Sequence, residues 1–235
     1  MFDVIRKADY FACLDNGFAD PDAATLKGIQ DGWLISVTAD VEGARLLEFG
    51  GGYSRTLPRL RDRNECFNVD RFAGADGGPD RVPEQPGIRV VVAYMGDFSP
   101  ELEDAGFDIV FSISVLEHVP DIALGSVFAD VARCLRPGGR SYHAVDLLLA
   151  DEPLEEVDAR INAYLGAISS AGLELLEQPA ITPPLTFETD FATSPDVQLW
   201  RYWRSSTELE RRVLAYQVVS LKIAFERPLR DGPVT

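Results

Sequence analysis

LLEFGGGYS, residues 46–54, is an apolar run that ends in an acid, a phenylalanine and three glycines. Leu46, Leu47 and Phe49 read as a short buried strand. Gly50, Gly51 and Gly52 make a turn where backbone meets ligand without Cβ interference. A helix-like stretch with Leu57 and Leu60 on one face follows. Strand, glycine turn and helix open a nucleotide-binding βαβ unit. Glu48 narrows the choice of ligand. A carboxylate here repels a pyrophosphate and suits a ligand whose near end carries an ammonium and a sulfonium.

Further signals follow in order. Cys66-Phe67-Asn68-Val69-Asp70 is a second strand ending in an acid 22 residues after Glu48, placed to accept from both hydroxyls of a ribose. IRVVVAYMGDF is a β-branched run closed by Gly96-Asp97-Phe98, where Asp97 is placed to accept from an adenine amine and Phe98 to lie against the ring. FDIVFSISVLEHVPD (107–121) gives a fourth strand, a polar break and a helix start. That helix is stopped after Leu135 by Arg136-Pro137-Gly138-Gly139, and a fifth strand spans Ser141–Val145.

These pieces together resemble the class I S-adenosylmethionine (SAM)-dependent methyltransferases, particularly the small-molecule branch. The resemblance covers residues 46–146 well. It rests on LLEFGGGYS, NVD, MGDF, FDIVFSISVLEHVPD and CLRPGGR in that order. It implies one Rossmann-like α/β domain with a seven-stranded, mostly parallel sheet and helices on both faces. The expected order is 3-2-1-4-5-7-6, with the seventh strand antiparallel. It also implies SAM as cofactor and S-adenosylhomocysteine as product, held by Glu48, Gly50, Gly51, Gly52, Asp70, Arg71, Asp97, Phe98 and Ser112. The chain departs from the family in two places. Ser54 stands where a further small glycine is usual. RFAGADGGPDRVPEQPG (71–87) replaces a crossover helix with a stretch of four Gly and three Pro, read as a long loop near the adenosine end.

Two flanking regions complete the chain. Residues 1–45 hold two helical stretches, the second over Asp22–Val37 with Leu26, Ile29, Trp33 and Val37 on one face. By resemblance they form a lid over the ligand; a helix simply packed on the sheet is the equal alternative. Residues 46–235 form the methyltransferase domain, its C-terminal part (147–235) carrying a substrate-side excursion at 179–217. That part opens with an amphipathic helix through Val157, Ile161, Tyr164 and Ile168. LELLEQP is the expected sixth strand. The excursion holds the densest aromatic group, including Phe187, Trp200 and Trp203. VVSLKIAF alternates as a final strand, with Val219, Leu221, Ile223 and Phe225 on one face.

Methyl transfer displaces a carbon from a sulfonium that is already activated, so alignment and exclusion of water are the main tasks. A base is needed only where the acceptor holds its proton at neutral pH. His118, His143 and Asp146 are the candidates. His118 follows the fourth strand, where the alternative role for it and Glu117 is to fix the turn. His143 is equally a hydrogen-bonded core histidine. Alternation keeps His143 and Asp146 on opposite faces unless the strand ends between them, and Asp146 is placed in the pocket first.

At 235 residues and 46% hydrophobic content, one α/β domain is the natural size. Thirty-eight acids against 22 bases give a net charge of −16, which disfavours nucleic acid and anionic membranes. Arg55, Arg59, Arg61 and Arg63, alternating with acids, read as a solvated helix face. Cys13, Cys66 and Cys134 show no metal spacing, and no metal is expected. No stretch suits a signal peptide or a bilayer span, so a cytoplasmic location is expected, with a homodimer left open. The function expected is methyl transfer to oxygen or nitrogen of a small-molecule or carrier-linked acceptor, a sugar being one such. A SAM-binding scaffold or inactive partner is the alternative. A nicotinamide-dependent dehydrogenase ranks below both, because its pattern needs a glycine at Arg55.

Overall fold

Parallel strands with near-continuous apolar runs need cover on both faces, and this chain supplies it. A computed structural model describes residues 1–21, 25–74, 78–150, 152–186 and 216–229. In chain order these form β1 (Phe2–Val4), α1 (Lys7–Asp15), α2 (Leu26–Val37), β2 (Arg45–Phe49), α3 (Leu57–Leu60), β3 (Glu65–Asp70) and β4 (Ile88–Val92). There follow β5 (Phe107–Ile113), α4 (Asp121–Cys134), β6 (Leu135–Ala150), α5 (Glu155–Ser170), β7 (Glu174–Leu175) and β8 (Tyr216–Glu226).

The sheet runs β1-β8-β6-β5-β2-β3-β4, with β7 also paired to β8. β2, β3, β4, β5 and β6 pair in parallel, whereas β8 runs antiparallel to β6. The expected order therefore holds from β4 through to β8, with one difference at the outer edge. β7 is only two residues long, and β1 takes the neighbouring stretch of the same edge, Phe2 opposite Ile223. Three residues are too few to display a strand period, so β1 carried no sequence signal.

Alternation along β6 and β8 sorts the core. Val145, Leu147, Val219, Leu221, Ile223 and Phe225 face α4 and α5, while Tyr142, Ala144 and Ala224 face α1, α2 and α3. β6 continues past Val145 to Ala150, so His143 and Asp146 lie on opposite faces. The described part of 71–87 is loop, as its composition demands. α2 begins at Leu26, capped by Thr25 Oγ1 accepting from Gly28 N at 3.1 Å. Asp22–Ala24 and the aromatic stretch 187–215 lie outside the described residues. The arginines after the glycine turn do more than face solvent. Arg55 pairs with Asp31 on α2, Arg59 donates to the Phe18 carbonyl and Arg61 to the Pro86 carbonyl.

Candidate active site

The carboxyl ends of β2 and β5 meet where the strand order reverses, and a cleft of about 620 Å³ opens there. That volume lies within the range of small-ligand pockets. Glu48, Gly50, Gly51, Gly52, Asp70, Arg71 and His118 line it, so seven of the expected site residues come together.

The glycine turn is fixed by its neighbours. Gly50 has φ +66°, and a Cβ on it would lie 2.5 Å from the Val115 side chain, so the turn after β5 packs flush against it. A Cβ on Gly51 would meet Asn68 Oδ1 at 2.6 Å and Glu48 Cδ at 2.9 Å. The long loop folds onto the same turn. Asn68 Nδ2 and Gln85 Nε2 both donate to the Gly52 carbonyl, and Pro79 lines the cleft beside it.

Glu48 is buried, at 4% exposure, and its Oε2 accepts from Ser54 Oγ at 2.5 Å and from Thr56 Oγ1 at 3.3 Å. Burial pushes its carboxyl up to about 7, and these hydroxyls together with Arg55 pull the other way. Ser54 also accepts from Leu57 N at 3.0 Å, so the residue that departs from the family's glycine holds the acid and the start of α3. Asp70 receives Gly52 N on Oδ2 at 3.0 Å and Phe72 N on Oδ1 at 2.7 Å. Each oxygen keeps a lone pair for a ligand hydroxyl. A glycine cradle with an acid at either end fits the amino and ribose ends of SAM.

Asp97 and Phe98 are both exposed and outside the cleft lining. Asp130 on α4 accounts for this. Its Oδ2 takes the Gly96 and Phe98 amides at 2.8 and 3.1 Å, which ties the loop to the helix and turns Phe98 outward at 47% exposure. The preceding Ala93, Tyr94 and Met95 line the cleft in their place. Arg71 lies over the Tyr94 ring at 5.8 Å.

Ser112 and His143 are core residues. His143 is fully buried among Phe49, Phe128 and Phe225. Ser141 gives its hydrogen to the Val110 carbonyl and so accepts from His143 Nε2, leaving Nδ1 to accept from Ser112 Oγ, each at 2.8 Å. Desolvation lowers His143 to about 3, so it stays neutral and walled in. Neither residue lines the cleft.

Asp146 sits on the opposite face, one residue removed from the cleft wall. Its Oδ1 accepts from Gln30 Nε2 at 2.6 Å and lies 3.2 Å from the Oγ of Ser114, which does line the cleft. Lys27 lines the cleft from the first turn of α2. Lys27 lies outside every motif, while Tyr94, Met95 and Ser114 fall inside the quoted runs without being marked as ligand residues; only the folded register of strand ends brings the four together. The turn Leu116–His118 is held by Arg160 of α5, which donates to the Leu116 and Val119 carbonyls. Among the described residues no acid, histidine and cysteine cluster suits a metal. No helix among them is long and apolar enough to cross a membrane.

Comparison with known proteins finds the same domain and fold. Residues 47–142 match the family described as a methyltransferase domain. The chain is 28% identical over 184 residues to 27-O-demethylrifamycin SV methyltransferase of Amycolatopsis mediterranei, covering 68% of this chain and 66% of that protein. It thus spans just under two thirds of that relative's length. The fold is shared with geranyl diphosphate C-methyltransferase from Streptomyces coelicolor A3(2), solved with geranyl diphosphate, Mg²⁺ and S-adenosyl-L-homocysteine. That likeness has a TM-score of 0.52 at 16% identity, over 96% of this chain and 90% of that one. The cyclase SpnF is similar at TM-score 0.52 and 15% identity, over 90% of this chain and 85% of that one. Motif order, fold and the match over residues 47–142 together support a class I SAM-dependent methyltransferase domain in this chain.

Proposed function

We propose that the protein transfers a methyl group from SAM to a hydroxyl or amine of a small-molecule or carrier-linked acceptor. The observation that carries this reading is the single cleft that joins the glycine turn and its two acids to a polar acceptor-side wall of Ser114, His118 and Lys27. Glu48 takes the ammonium end of the cofactor, and Asp70 the ribose hydroxyls. Tyr94 and Met95 flank the base. The similarity to 27-O-demethylrifamycin SV methyltransferase supports a hydroxyl acceptor.

SAM supplies a methyl already activated by its sulfonium. The protein's share is alignment and exclusion of water. α2 packs across the sheet face beside the cleft and covers one side of it, the place a lid would occupy. Asp146 and His118 stand on the acceptor side, and His143 takes no part.

Calorimetric titration with SAM, S-adenosylhomocysteine and NAD tests the cofactor half. Micromolar binding of the two sulfur nucleosides, without NAD, is expected. Transfer of radiolabelled methyl to a panel of phenols, sugars, macrocyclic alcohols and amines tests the other half. Absence of sulfur-nucleoside binding would overturn the reading, and so would binding without transfer to any acceptor.

A further inference from the structure

Ser114 is the residue at which the cleft and the buried polar network meet. Its backbone has φ +51°, in a region that side-chain-bearing residues seldom occupy. Such strain persists where surrounding structure holds it, and it gathers at functional sites. Here three contacts hold it. Ser114 N donates to the Ala144 carbonyl at 2.9 Å, and Ser114 Oγ reaches Gln30 Oε1 at 2.8 Å and Asp146 Oδ1 at 3.2 Å. The hydroxyl has one hydrogen for these two acceptors. It can rest on Gln30 and swing to Asp146 without moving the backbone.

Gln30 is fully buried, and its Nε2 donates both to Asp146 Oδ1 and to Ser220 Oγ, the latter at 3.0 Å. The amide is therefore fixed in orientation, with its oxygen toward Ser114. Asp146 has no route to the cleft in the lining itself, while Ser114 does. A carboxylate behind the wall and a hydroxyl in the wall form a two-step path for a proton.

We propose that Ser114 and Asp146 form the relay that removes the acceptor's hydroxyl proton during methyl transfer, with Gln30 as the residue that positions both. This rests on the methyl-transfer reading above and names the acceptor atom as oxygen. As the acceptor oxygen bonds to the methyl carbon, the carbon–sulfur bond breaks and its electron pair stays on sulfur. The acceptor proton passes to Ser114 Oγ while the Ser114 hydrogen passes to Asp146 Oδ1. The products are the methyl ether, S-adenosylhomocysteine and a protonated Asp146, which later returns its proton to water.

Glu117 supports the arrangement. Its carboxylate oxygens are buried without a hydrogen-bond partner among the described residues, on a turn clamped by Arg160. Burial first and the Asp146 carboxylate second push it up to about 8, so it is protonated at neutral pH. The charged and titratable groups around this corner are Asp146 on β6, Lys27 on α2, Arg160 and Tyr164 on α5, and His118 and Asp121 beside the turn.

The test compares wild type with Ser114→Ala, Ser114→Gly, Asp146→Asn and Glu117→Gln, on a hydroxyl acceptor from the panel above. Glycine accepts the backbone angle at 114, so Ser114→Gly keeps the fold where alanine strains it. S-adenosylhomocysteine affinity serves as the folding control. The relay requires kcat to fall roughly a hundredfold or more in both Ser114 variants and in Asp146→Asn, with KM little changed. Their rates should climb with pH as hydroxide replaces the relay, while the wild-type profile stays flatter. Glu117→Gln mimics the protonated form and should keep near wild-type kcat at pH 7. Wild-type kcat in Ser114→Gly or Asp146→Asn overturns the relay and leaves methyl transfer standing. No transfer by wild type to any hydroxyl overturns the relay, and transfer to no acceptor at all overturns the proposed function as well.

Discussion

Gln30 Nε2 lies 2.6 Å from Asp146 Oδ1, so a helix from the first forty residues is bolted to the far end of β6 across the face of the sheet. The bond is charge-assisted and sits in a buried network with Ser114 and Ser220. Gln30→Leu keeps roughly the same bulk but leaves Asp146 and Ser220 short of a donor. Unfolding free energy should fall by about 1–3 kcal/mol, measured by chemical denaturation. S-adenosylhomocysteine affinity should change less than twofold, because Gln30 does not line the cleft.

Asp70→Ala removes the acceptor for the Gly52 amide of the glycine turn and for the Phe72 amide, and with them the proposed seat for the ribose. SAM affinity should fall by at least an order of magnitude in calorimetry. Asp97→Ala should leave it near the wild-type value, since Asp97 is exposed and outside the cleft. Equal losses in the two variants would return Asp97 to the cofactor site.

Glu48 gives a pH signature in both stability and binding. Its carboxyl titrates near 7 in the fold against an ordinary 4.5. Between these values the folded chain holds the extra proton, so its share of stability is present at pH 4.5 and lost by pH 7. Glu48→Gln should flatten that decline in denaturation scans. In the proposed binding mode the ionised carboxylate attracts the cofactor ammonium, so SAM should bind on the order of tenfold more weakly at pH 6 than at pH 8. Ser54→Gly removes a bond that favours the anion and should move this midpoint upward.

His143 acts in the opposite direction. Burial holds it neutral down to about 3 against an ordinary 6.5, so the unfolded chain takes up its proton first as pH falls. Its stabilising share is whole above 6.5 and is lost on acidification through that range toward 3. His143→Gln should weaken the acid dependence and lower thermal stability. Cofactor affinity and kcat of the folded variant should persist, which separates a core histidine from a catalytic one.

The sheet was legible from residue order because its signals are local. Glycines after Leu46–Phe49, breakers after Cys134 and the alternation of Val219, Leu221, Ile223 and Phe225 each act within a few residues. Glu48 and Asp70 belong to the same class, each fixed at the end of its own strand. What stayed hidden depends on distant partners. Asp130 decides where Phe98 points from 32 residues away, and no spacing rule records that. Gln30 sits on a helix face that reads as apolar, and its amide has meaning only once β6 and β8 lie beneath it. His143 in an apolar strand reads equally as chemistry or as core, and only its two bonds to Ser112 and Ser141 decide for core.

The pairing of β1 with β8 bears on how the chain is made. The amino group of Met1 donates to the Ala224 carbonyl across 223 residues of sequence, and Phe2 lies opposite Ile223. During synthesis residues 2–4 leave the ribosome long before their partners exist. The outer edge of the sheet therefore closes late, after the central strands have had time to assemble. Phe2 and Val4, both buried in the finished fold, stay exposed through that interval.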